Sequence, residues 1–258
     1  MNEELRNHIE KLLSKNVRID SRKKLDYRDI SIEVGFLKTA EGSARVKIGE
    51  TEIIAGVKMS IEKPFPDTPE DGLLMIGTEL LPLSNPKYEG GPPSIESIEV
   101  SRVIDRAIRE SRCIDTKKLC IEKGEKAWTV NVDLCPINDD GNLFDAGFLA
   151  AMAALLNTRF PEYDGEKVDY TKKTNKNLPI NKIPISVTVL KIGENFFVDP
   201  LEDEENVIDA RLTVASLDEN TLCALQKGGD HSLRLEDIKT MIEISIEKAR
   251  ELRKYIKQ

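Results

Sequence analysis

Histidines, paired cysteines, aromatic rings and net positive charge are all scarce in this sequence, and each scarcity removes a class of function. Only two histidines, His8 and His231, occur in 258 residues, which leaves little room for a Ser-His-Asp or Cys-His mechanism. The four cysteines, Cys113, Cys120, Cys135 and Cys223, include no C-x-x-C pair. No structural metal site is therefore expected, and buried reduced thiols are. Against 46 acidic side chains stand 38 basic ones, a formal net charge of −8, which excludes binding nucleic acid through overall charge. The longest nearly apolar stretch, Ala146 to Leu156, falls far short of the roughly 20 residues that span a bilayer. Residues 1–13 read as an amphipathic helix, expected over about 2–14, and lack the uninterrupted apolar segment of a signal peptide. A cytoplasmic location and no membrane contact are expected.

What is present describes a folded chain. Apolar residues make up 40% and charged residues 33%, with aromatics at only 5%, which implies a well-solvated surface over an aliphatic core. Ile30 to Phe36, Ala44 to Ile48 and Thr51 to Ile61 read as a meander of antiparallel strands. A Pro-rich acidic loop over 63–72 precedes an apolar strand from Leu73 to Leu81, and Ser94 then caps a helix running to about Arg112. Trp128 to Ile137 alternates Val130, Val132 and Leu134 against Thr129, Asn131 and Asp133, the pattern of a half-buried strand. A helix over Asp145 to Arg159 carries Ala146, Gly147, Ala150, Ala151, Ala153 and Ala154, small side chains that let it lie close against a sheet. The polar segment 166–179, with Lys167, Lys172, Lys173 and Lys176, reads as an exposed connection. Strands return over Ile185 to Leu190, Phe196 to Val198, Val207 to Ala215 and Leu222 to Leu225, and an apolar stripe marks a last helix over about 235–257. The order is α+β, with a strands-then-helix pattern occurring twice, in a single domain spanning 1–258.

The segment richest in chemistry is the helix from Ile95 to Arg112. At 3.6 residues per turn, Val100, Val103, Ile104, Ala107 and Ile108 gather on one side, while Arg102, Arg106 and Arg109 fall within roughly 60° of one another on the other. Two readings are open. Glu99 stands three residues from Arg102 and Asp105 four from Arg109, so local pairing accounts for the stripe; alternatively, the guanidinium groups form a phosphate clamp. The Asp139-Asp140-Gly141 turn and the run from Glu202 to Glu205 lack the alternating ligand spacing of a calcium loop and read as solvated turns. Gly228-Gly229-Asp230-His231-Ser232 lacks the Lys-Ser/Thr ending of a P-loop and also reads as a turn. Neither cofactor nor metal is expected.

Several motifs together resemble one family. Arg18-Ile-Asp20-Ser-Arg22, followed by Tyr27-Arg28, resembles the opening Arg-x-Asp-x-Arg motif of RNase PH-like proteins, and Gly42 to Val57 is similar to their first hairpins. The segments Glu99 to Ser111 and Asp140 to Ala146 resemble one branch more closely, the non-catalytic RNase PH-like subunit of the archaeal exosome. The resemblance covers about Val17 to Lys254. It implies an RNase PH-like fold (ribosomal protein S5 domain 2-like) and a hexameric ring in which this chain alternates with a catalytic RNase PH-like subunit, a trimer of heterodimers. It further implies RNA-binding cap subunits on one face and 3′-to-5′ phosphorolytic degradation of single-stranded RNA.

Two departures from the catalytic pattern carry weight. Active members hold the attacking phosphate with Gly-Gly-Thr-Arg at the start of a helix; here that stretch is Gly141-Asn-Leu-Phe-Asp145, and Asp145 is expected to cap the helix and repel phosphate. Where active members use an aspartate, alignment places Arg211. The resemblance therefore implies a chain without catalytic residues, whose Arg102, Arg106 and Arg109 contact RNA backbone near the partner's active site without reading sequence. An autonomous phosphorolytic exoribonuclease and a pure scaffold without RNA contact remain as alternatives.

Overall fold

The computed structural model describes residues 3–256. The chain begins with α1 (Glu3–Leu13) and continues through β1 (Ile30–Val34), β2 (Gly42–Ile48), β3 (Thr51–Glu62) and β4 (Leu73–Thr78) to α2 (Ile95–Ser111). A short 3-10 turn (Thr116–Leu119), β5 (Cys120–Glu122) and β6 (Lys126–Asn138) lead to α3 (Leu143–Leu156). The hairpin β7 (Arg159–Tyr163) and β8 (Val168–Asn177) follows, then β9 (Ile185–Ile192), β10 (Asn195–Val198), the one-turn α4 (Glu202–Glu205), β11 (Ala210–Ser216), β12 (Leu222–Gly228) and α5 (Leu235–Ile256). Residues 2 and 257, included in the helices expected at the two ends, lie outside the described residues.

Two sheets enclose α3. The first runs β1-β2-β3-β6-β4, with β5 also paired to β6, and the second runs β10-β9-β11-β12. All neighbours are antiparallel except β4, which lies parallel to β6. In β3 the alternation is complete: Thr51, Ile53, Ala55, Val57 and Met59 are buried while the intervening side chains are half-buried, as a strand with one covered face requires. Helix α3 is apolar on every side and buried along its length except at Phe144 and Leu156, which suits an element covered from several directions. It packs on β2, β3 and β6 of one sheet, on β9 of the other, and on α2. One buried apolar cluster joins Val46, Ile53 and Val132 of the first sheet to Val187 and Val214 of the second through Phe148 and Leu149. Each such fully buried large aliphatic or aromatic side chain stabilises the fold by about 1.5–3 kcal/mol.

Some sequence expectations need correction. Helix α3 starts at Leu143, two residues before the expected Asp145, and Arg159 belongs to a strand rather than to the helix end. The lysine-rich segment is exposed, as expected, but it is a strand, β8, paired with β7. Because both faces of β8 meet water, it shows no apolar alternation by which to recognise it. The run 202–205 is not a solvated turn: Glu204 is fully buried in an ion pair with Arg18. Of the four thiols, all free, only Cys113 is buried; the other three are half-buried.

Candidate functional site

Helix α2 presents the arginine stripe. Ser94 caps it, its Oγ accepting the Ser97 N–H at 3.2 Å, and Arg112 ends it in the left-handed conformation, φ 50°. Val100, Val103, Ile104, Ala107 and Ile108 face the core, which turns Arg102, Arg106 and Arg109 to solvent. The three guanidinium groups have different surroundings. Arg109 is held by Asp105 through bonds of 2.6 and 3.0 Å and donates to the Leu74 carbonyl at 2.8 Å. Arg106 has one long contact, 3.4 Å to Gln226 Oε1. Of the two acids three residues from Arg102, Asp105 is the one that holds Arg109, and Glu99 accepts Arg211 Nη2 at 2.5 Å. Among the described residues Arg102 therefore has no ion-pair or hydrogen-bond partner for its side chain. Local pairing describes Arg109 and fails for Arg102.

Beside the N-terminal half of α2 lies the front of α3, the second segment singled out by the sequence. Its N-cap, Asn142, is left-handed at φ 63°, and its side chain does not cap the helix. Instead the Asn142 amide Nδ2 donates to Asp199 Oδ1 at 2.8 Å. The Asn142 backbone N–H donates to Glu205 Oε1, also at 2.8 Å. The carboxylate standing at this helix end is thus that of Glu205, delivered by α4. Asp145 does not cap the helix: it is the third helical residue, points inward and is fully buried. Its carboxylate accepts the Tyr27 hydroxyl at 2.7 Å and the Thr188 N–H of β9 at 2.8 Å, tying the N-terminal segment and the second sheet to α3. Burial pushes the Asp145 pKa up to about 7 against these hydrogen bonds. Burial likewise raises Glu205 to about 7, with the Asn142 N–H opposing and the charge of Asp139 reinforcing the shift.

The cavity in front of this helix measures about 190 Å³. Four carboxylates line it, from Glu96, Glu99, Asp139 and Glu205, against two cations, Lys87 and Arg211. Both cations are occupied. Lys87 pairs with Asp139 at 3.1 Å and Glu202 at 3.2 Å, while Arg211 pairs with Glu99 and lies over the Phe144 ring, 4.4 Å from its centroid. A helix N-terminus with free N–H groups attracts anions; here one of those groups already has an internal carboxylate, and an entering phosphate meets further negative charge. No group of three His, Cys, Asp or Glu side chains suited to a metal ion exists among the described residues.

The Arg-x-Asp-x-Arg motif braces this region. Arg18 is buried, donating to the carbonyls of Val198 and Asp199 at 2.7 and 2.8 Å besides its pair with Glu204. Arg22 and Arg28 both reach the buried carboxylate of Asp199, each at 2.8 Å, and these cations hold the Asp199 carboxyl below the usual range despite burial. Arg28 also donates to the Asp140 carbonyl at 2.8 Å and to its side chain at 3.1 Å. The Asp139-Asp140-Gly141 turn is consequently only partly solvated: Asp140 is half-exposed, while Asp139 is buried and accepts the Tyr88 hydroxyl at 2.5 Å and the Gly141 N–H at 3.1 Å. No local sequence pattern points to Asp199, and the acidic run over 202–205 marks Glu204 and Glu205 without indicating their partners.

Residues 26–161 match the family model described as the 3′ exoribonuclease family, domain 1, and residues 182–248 match domain 2 of the same family. The chain belongs to the 3′ exoribonuclease family. Among curated relatives in that family, the exosome complex component Rrp42 of Methanothermobacter thermautotrophicus is 46% identical over 253 residues, covering 97% of this chain and 93% of the relative. Rrp42 of Archaeoglobus fulgidus is 42% identical over 253 residues, covering 98% and 96%. A chain from the Archaeoglobus fulgidus exosome with RNA bound to the active site superposes with a TM-score of 0.89 at 41% identity, covering 98% of this chain and 97% of that one. A chain of an archaeal exosome core gives 0.86 at 39%, covering 99% and 97%. The RNase PH-like α+β fold implied by the sequence motifs is the fold found.

Proposed function

We propose that this chain is a non-catalytic ring subunit of an archaeal exosome, a cytoplasmic 3′-to-5′ phosphorolytic RNA-degrading complex. In this reading it alternates with a catalytic RNase PH-like subunit in a hexameric ring carrying RNA-binding cap subunits, and contributes no acid, base or phosphate site of its own. The observation that carries the proposal is the Glu205 carboxyl oxygen on the Asn142 N–H at 2.8 Å, which fills the helix-terminal donor that a phosphorolytic enzyme needs for holding inorganic phosphate. The full-length likeness to exosome components named Rrp42 supports the assembly, and the continuous core beneath both sheets supports reading 1–258 as one domain. An autonomous exoribonuclease finds no support in the closed front of α3.

RNA contact is assigned to the stripe on α2. Arg102 and Arg106 retain charge to offer a phosphate, while Arg109 shares its charge with Asp105. The pure scaffold reading is favoured by one observation, that same Arg109–Asp105 pair. Replacing Arg102 and Arg106 by Ala in the reconstituted ring separates the two. Loss of two phosphate contacts lowers RNA affinity at moderate salt and reduces the slope of log affinity against log salt by about 1.4. Unchanged affinity and slope leave only the scaffold.

A further inference from the structure

Alongside the C-terminal half of α2, the loop joining β3 to β4 and the segment after α2 enclose a second cavity, of about 680 Å³. Its floor is aliphatic, with Leu74, Ile108 and Leu119 among the lining residues, and its rim carries Arg112, Lys117 and Lys182 beside Arg109. These three cations are exposed and make no ion pair among the described residues. Of the two acids on the rim, Asp115 pairs with Lys118 at 3.2 Å, and Asp71 accepts the Thr116 hydroxyl at 2.9 Å within the cavity. Phe65, 56% exposed, also lines the cavity. The loop bearing it is held in place, with Gly72 N–H on the Thr116 carbonyl at 2.9 Å, Gly124 N–H on the Pro69 carbonyl at 2.8 Å and Glu70 on Lys123 at 2.6 Å.

The volume lies within the roughly 300–1,000 Å³ of small-ligand sites. An aromatic ring over an aliphatic floor receives the face of a base, and unpaired guanidinium and ammonium groups receive phosphates. Arg109, the last arginine of the stripe, and Arg112, which caps α2, both line the cavity, so it adjoins the end of the stripe. We propose that this cavity is a nucleotide subsite for single-stranded RNA, with one base against Phe65 and the flanking phosphates on Arg112 and Lys117. The proposal rests on the reading of α2 as an RNA-contacting surface and extends that surface past Arg109.

Fluorescence anisotropy with the ring reconstituted from this chain and a catalytic RNase PH-like subunit, without phosphate, and two labelled strands tests it: a short oligo(A) and an all-abasic ribose-phosphate strand of equal length. Phe65→Ala, at an exposed position and checked for an unchanged melting midpoint, is expected to weaken oligo(A) binding about tenfold and leave the abasic strand unchanged. Arg112→Ala with Lys117→Ala is expected to weaken both strands. Unchanged oligo(A) affinity for Phe65→Ala, where Arg102→Ala with Arg106→Ala still weakens binding, overturns the subsite and leaves the reading of α2 intact. The converse pattern overturns the stripe and keeps the cavity. Failed assembly of Phe65→Ala with the catalytic RNase PH-like subunit assigns the cavity to a protein neighbour and also overturns the subsite. Oligo(A) binding by the ring that none of these substitutions weakens overturns both.

Discussion

Glu205 sets the character of the front of α3. Its pKa is raised to about 7, above the value it has in an unfolded chain, so the folded state holds the proton more tightly. The stability linked to this group is fully present below the ordinary carboxylate range and is lost as pH rises from there to about 7. Asp145, also raised to about 7, acts in the same direction. Glu205→Gln keeps an oxygen to accept the Asn142 N–H and removes the titration. The variant should therefore gain stability relative to the wild type between pH 5 and pH 8, by about 1–2 kcal/mol once partial solvent contact is allowed for. Urea unfolding midpoints at the two pH values measure this; a constant difference between the two proteins contradicts it. At this scale the sequence was informative only where partners are close in the chain. The Asp105–Arg109 pair could be read from a four-residue spacing. Glu99 with Arg211, Arg18 with Glu204, and Glu205 with the Asn142 N–H join segments far apart in sequence, and no local pattern announces them. Asp145 departs from the expected cap because a carboxylate in the first turn can serve as a cap or turn inward, and its hydrogen bonds to Tyr27 and to Thr188 of β9 decide which.

At the scale of elements, the strand β2 lies close against the C-terminal end of α3 at Gly42. A Cβ on Gly42 would stand 2.2 Å from the Thr158 hydroxyl and 2.4 Å from the Ala154 carbonyl. The second of these is backbone and cannot rotate away, so Gly42→Ala must push the helix from the sheet. A loss of about 1–3 kcal/mol or more is expected, read as a lower urea midpoint with an unchanged denaturant slope; unchanged stability contradicts so close a contact. The small residues of α3 announce this closeness in the sequence. Helix α2 was legible from its Ser94 cap and apolar face, and β3 and β6 from their alternation. The segments β7 and β8 were not, because a solvated hairpin needs no buried face, and α4 was hidden in a run of acids that resembles a solvated turn.

Across the whole molecule, a chain of net charge −8 keeps Arg102 and Arg106 exposed along α2 and Arg112 exposed at its end while internal acids occupy the cations around the front of α3. That division matches a subunit that guides RNA and leaves phosphorolysis to a partner. Phosphate-dependent shortening of poly(A) tests it most directly, comparing this chain alone, a catalytic archaeal RNase PH-like subunit alone, and the two mixed. No activity from this chain alone, and activity in the mixture above that of the partner alone, is the expected result. Release of nucleoside diphosphates by this chain alone would contradict it, because phosphate would then have to bind where Glu205 stands.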